Sequence, residues 1–237
     1  MENLKVTNLF NYPDNCFLGK EFPKKAFYEH LNADTHFKNE FVTKIEKIYL
    51  LYDLKEATLK VEPGENFEEI AFFYFELKQT DLDLEITRFI DKNIKDKYLF
   101  YIFHYQDNYR IVANFKTHLE AVRSNTGSFD IKATYFTRWL DKSDLELKLQ
   151  GSTLDALYEN LFSQIAGLKE LKGDALAKLV VLRSQRAKQS KIVEKAKRKQ
   201  DTEPQYHKQV IYRQEYLEQK NVLDNIDAQI KELENVL

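Results

Sequence analysis

The chain has a single cysteine, Cys16, among its 237 residues, so no disulfide can form within it. That economy suits a reducing cytoplasm, where the protein is expected to work. No apolar stretch approaches the ~20 residues needed to cross a bilayer, so no membrane association is expected. The N-terminal MENLKVTNLF has neither the basic start nor the apolar run of a secretory signal. Charge is nearly balanced at −2, which excludes a global attraction to nucleic acid and confines any basic surface to a local patch. Glycine and proline are scarce and unevenly spread: all six glycines and three of the four prolines precede Asp174. Beyond Phe162 the only aromatics are Tyr206, Tyr212 and Tyr216. Composition there shifts to Lys, Gln, Glu, Leu and Ala, which divides the chain into a globular body, 1–173, and a helical extension, 174–237.

What is present is enough for a substantial core, with 43% hydrophobic and 14% aromatic residues. The stretch Ile70–Leu77 is rich in aromatics and reads as a buried central strand. Alternation places Phe73, Phe75 and Leu77 on one face, and Phe72, Tyr74, Glu76 and Lys78 on the other. LFNYPDNCFLGKEFPKK, with two prolines and a glycine, reads as irregular, and Pro23 suits the first turn of a helix to about Leu31. Phe37, Phe41, Ile45, Ile48 and Tyr52 recur at threes and fours, which predicts a helix over 36–54. Thr58–Glu62 and the central strand, joined through Pro63-Gly64, read as a hairpin.

Asp81–Asn93 reads as a helix, followed by strands at Tyr98–Tyr105, Tyr109–Phe115 and Phe129–Phe136. Leu145, Leu147 and Leu149 alternate with charges as in a half-buried strand at 144–149. Ser152 or Thr153 can cap a helix over 154–168. These elements predict a mixed β-sheet flanked by helices, an α/β or α+β body. In the tail, Leu223, Ile226, Ile230, Leu233 and Leu237 make a coiled-coil seam, continued to Tyr216 through a polar Gln219. Leu179, Leu182, Val193 and Ala196 hold a similar register, interrupted by Arg186 and Gln189. A break at Asp201–Pro204 makes an antiparallel helical hairpin the expected form; a single long helix kinked at Pro204 is the alternative.

FNYPDNCFLGKEFPKK, FVTKIEKIYLLYDLKEATLKV, the FELK strand, IDKNI and above all LQGSTLDALYENLFSQI resemble the bacterial domain of unknown function 4391, over roughly the whole chain. The resemblance implies a setting beside a DEAD/DEAH-type helicase and a DNA methyltransferase, as in restriction-like antiphage loci. It implies no activity.

Three functions are consistent with the residues. The first is an accessory, non-catalytic subunit of such an assembly, with no cofactor, that contacts a partner protein and could reach DNA or RNA through its basic run. That run is Arg183, Arg186, Lys188, Lys191, Lys195, Lys197, Arg198 and Lys199, opposed by Glu194 alone. Its bland counterpart is the solvated face of a hairpin. The second is a metal-dependent nuclease similar to the PD-(D/E)xK enzymes. Glu62 and Glu76 would hold Mg or Mn, and Lys78 would offset charge at the scissile phosphate. The Glu-Pro order at 62–63 departs from that pattern. The third is a structural protein that self-associates through the tail. No phosphate-binding glycine loop and no histidine spacing for a metal is present.

Overall fold

The architecture comes from a computed structural model that describes residues 6–65, 67–94, 96–118, 129–168 and 173–235. The chain forms two compact units, Met1–Lys169 and Glu170–Leu237.

The first unit is built on a sheet in the order β1 (Phe17–Phe22), β2 (Ile45–Lys55), β3 (Glu69–Leu77), β4 (Tyr98–Tyr105), β5 (Asn108–His118), β6 (Phe129–Phe136), with the short β7 (Leu140–Asp141) pairing to β5. All neighbours are antiparallel except β3 and β4. Parallel strands need a crossover, and here it contains α4 (Glu85–Asn93). As expected, β3 is central and buries both faces.

Phe73, Phe75 and Leu77 face a core shared with α1 (Lys24–His30), α2 (Thr35–Lys44) and α4, through Phe27, Phe41, Ile86 and Ile90. On the opposite face Phe72 stacks on Phe100 at 4.9 Å and meets Tyr52 edge-on at 5.6 Å. That face is closed by α5 (Leu154–Ala166), whose Tyr158 stacks on Tyr98 at 3.7 Å and whose Phe162 meets Phe115 at 4.9 Å. Thr153 caps α5 by accepting from the Ala156 N–H at 3.1 Å, and Gly167, at φ +70°, ends it.

The structure corrects four local expectations. The helix over 36–54 stops at Lys44, and Ile45–Lys55 is a strand. Register shifts at Ile45/Lys47 and Leu50/Tyr52 give β2 two irregularities. Each extra residue moves the buried positions along by one, and both faces of the sheet are covered, so Ile45 and Ile48 on one face, Leu54 on the other and Leu51 at the second irregularity are all fully buried at a helix-like interval of three. Phe17–Phe22 lies in the stretch expected to be irregular, yet it forms edge strand β1.

Thr58–Glu62 is no hairpin arm: Glu56–Leu59 is a short helix, α3, and β2 takes the place beside β3. Leu145 and Leu147 are buried as the alternation requires, but 145–150 joins no strand. The Gln164 side chain instead serves as its partner, accepting from the Lys148 N–H at 2.9 Å and donating to the Lys148 carbonyl at 2.8 Å.

The second unit is an antiparallel helical hairpin, α6 (Gly173–Thr202) packed on α7 (Tyr206–Asn235), with Pro204 in the turn. A single kinked helix is excluded. Seam residue Leu237 lies outside the described residues.

Candidate nucleic-acid interface

The expected metal site is not brought together. Glu62 lies beside the start of α5, where its N–H donates to Ser152 O at 2.9 Å and its carbonyl accepts from Leu154 N–H at 3.1 Å. Pro63-Gly64 continues along the same helix end: the Glu65 N–H donates to Asp155 Oδ2 at 2.7 Å, and Asp155 Oδ1 accepts from the Tyr98 hydroxyl at 2.8 Å. A Cβ on Gly64 would lie 2.6 Å from the Phe67 carbonyl, so this close approach requires glycine. Tyr98 is opposite Ile70, at the start of β3, whereas Glu76 is opposite His104 near its end. Six residues of strand put these rungs ~20 Å apart. Glu62 and Glu76 therefore sit at opposite ends of the sheet.

Lys78 has a structural task. Its ammonium donates to Val42 O at 3.1 Å and pairs with Glu46 at 3.5 Å, while its N–H donates to Lys44 O at 2.8 Å. A cation over the last carbonyls of α2 is favoured by the helix dipole. Among the described residues no cluster of three His, Cys, Asp or Glu is arranged to hold a metal ion.

A buried polar group absent from the sequence expectations lies between α4 and β5. Lys116 pairs with Asp91, and Asn114 donates to Asp91 and, at 3.2 Å, to Thr87. Lys116 also donates to Lys97 O at 2.8 Å, and Thr134 donates to Asn114 Oδ1 at 2.6 Å. Burial pushes the Asp91 carboxyl up, opposed by Lys116, and pushes the Lys116 ammonium down, opposed by Asp91. The two side chains are 0% and 1% exposed, so they fasten α4 to the sheet rather than face a ligand. The available signal is an Asn and a Lys alternating inside the otherwise apolar run IVANFK.

The basic run falls on α6, which has nine Lys and Arg against three Asp and Glu, whereas α7 has four against six. The hairpin itself uses half of the run. Arg183 pairs with Glu234 at 2.8 Å, Arg186 with Asp227, Arg198 with Glu194 at 3.1 Å, and Lys199 with Glu215 at 2.9 Å. Lys197 lies over the Tyr216 ring at 5.9 Å. Lys188, Lys191 and Lys195 are different: all are exposed, and none has an ion pair among the described residues. At 100° per residue they lie about 140–160° from seam residue Val193, on the face turned away from α7. They extend ~10 Å along the axis.

Such a molecule is a mixed-sheet α/β protein with a helical hairpin that presents a basic row. The chain belongs to the family described as Domain of unknown function (DUF4391), whose model matches residues 10–233. No curated protein and no solved structure matches it. No described helix is long and apolar enough to cross a membrane.

Proposed function

We propose that this protein is a non-catalytic accessory subunit, within a restriction-like assembly of a helicase and a DNA methyltransferase, whose hairpin grips the phosphate backbone of nucleic acid. The observation that carries this reading is the outward row Lys188, Lys191 and Lys195. Their neighbours Arg183, Arg186, Arg198 and Lys199 are neutralised by carboxylates of the hairpin, whereas the row is left to solvent. Three unpaired ammonium groups on one helix face suit a polyanion, with counterion release supplying the free energy. Helix α6 contains no aromatic residue, so the row has no platform on which unpaired bases could stack. Duplex is therefore the favoured form, held by its backbone without base reading.

The test is fluorescence anisotropy of a labelled duplex and a single strand of equal length against the full chain. Tighter binding to the duplex, lost in a Lys188→Glu/Lys191→Glu/Lys195→Glu variant of unchanged helicity, is expected. Equal binding by that variant would remove the basis of the proposal.

A further inference from the structure

The segment 145–150 runs like a strand but is paired along one edge only. Leu145 and Leu147 are buried while Glu146, Lys148 and Gln150 are exposed, the alternation of an extended chain. Successive residues of such a chain turn their N–H and C=O towards opposite edges. The Gln164 amide takes both groups of Lys148, so Leu147 and Leu149 face the other edge. Among the described residues no hydrogen bond engages the backbone of Leu147 or Leu149. A cavity of about 680 Å³ opens along the segment, within the ~300–1,000 Å³ of ligand pockets. Its far wall is 9–13 with Leu59 and Val61, and Gln164 does not line it, so the cavity lies at the unpaired edge.

We infer that this cavity takes an extended segment of a partner protein, added to 145–149 as an antiparallel strand. Leu147 and Leu149 each exchange N–H···O bonds with the residue opposite. Those two opposite residues point inward beside Leu147 and Leu149, and so are apolar. Charge selects the residues between them. Glu146 and Lys148 pair with each other at 3.1 Å, 70% and 61% exposed. So exposed a pair is worth little, and both can turn to a neighbouring strand. Opposite charges directly across two strands stabilise them, and like charges oppose them. The residue across from Lys148 is therefore acidic and the residue across from Glu146 basic. Along the partner the order is apolar, acidic, apolar, basic, apolar, over ~17 Å. The chain itself has this order in Leu145-Glu146-Leu147-Lys148-Leu149. A second copy is excluded as the occupant by its own α5, which is bonded along that segment through Gln164 and would have to displace the 9–13 wall. The site belongs to the body and does not depend on the lysine row.

The experiment is a titration of the ¹⁵N-labelled full chain, followed by the amide resonances of Leu147 and Leu149. The probes are two capped peptides of equal composition, Val-Glu-Val-Lys-Val and Val-Lys-Val-Glu-Val. The first should move both resonances and bind at least ~5-fold more tightly than the second. N-methylation of its central valine should abolish binding, whereas N-methylation of its glutamate, whose N–H faces away, should not. Glu146→Lys/Lys148→Glu, at two exposed positions, should reverse the preference between the peptides. No movement with either peptide up to ~1 mM overturns the inference. So does equal sensitivity to the two N-methylations, or a preference that the double variant leaves unchanged. A preference of the unaltered chain for the second peptide overturns the antiparallel direction. In sedimentation velocity without peptide, a dimer that Lys148→Glu dissolves would assign the edge to a second copy and overturn the partner.

Discussion

Gln189 of α6 donates at 2.9 Å to both the side-chain and the backbone oxygen of Gln219 of α7. Each is a polar residue that interrupts the apolar seam of its helix, and the two do so at the same level. The gaps answer each other. A polar pair inside a seam fixes register at some cost in stability.

Gln189→Leu alone leaves the Gln219 amide without its partner and should cost ~1 kcal/mol, whereas Gln189→Leu with Gln219→Leu should recover that loss or exceed it. A double-mutant cycle in urea, followed by far-UV circular dichroism, measures the coupling. Additive losses would show that the two amides act independently.

The Asp91–Lys116 pair should behave as one unit. Lys116→Met leaves a carboxylate in an apolar interior and should destabilise the body by ~3–5 kcal/mol. Adding Asp91→Leu should restore most of it, because the stranded charge is removed with its partner. Denaturant midpoints of the single and double variants check this, and a double variant no better than the single would contradict it.

His104 supplies a pH dependence. It stacks on Tyr109 at 4.6 Å, and burial lowers its pKa from the ordinary 6.5, opposed by the Gln106 backbone, Glu76 and Asp107. As pH falls through 6.5 the unfolded chain takes up this proton before the folded one does, so stability falls until the folded value is passed. His104→Gln should flatten that part of a plot of urea midpoint against pH. An unchanged slope between about pH 7 and pH 5 would assign it to other groups.

The elements legible in the sequence are those with one clear period. β3 and β4, α5 with its Thr153 cap, and the two helices around Pro204 follow this rule. β2 misleads because its irregularities put buried residues at threes, which imitates a helix. The Glu62 expectation fails for a topological reason: Pro-Gly suggests a hairpin, but the chain partner that fixes Glu62 is Thr153, ninety-one residues later. No local pattern reports such a pairing. The basic run is visible in composition, yet its division into neutralised and free members depends on which faces α7 covers.

The most direct test of the account is the salt dependence of duplex binding by the full chain and by a Lys188→Gln/Lys191→Gln/Lys195→Gln variant. If the row grips phosphates, a plot of log binding constant against log salt should become shallower by ~0.9 for each phosphate released from a lysine, or ~2.7 for all three. Parallel lines of equal affinity for the two proteins would contradict it.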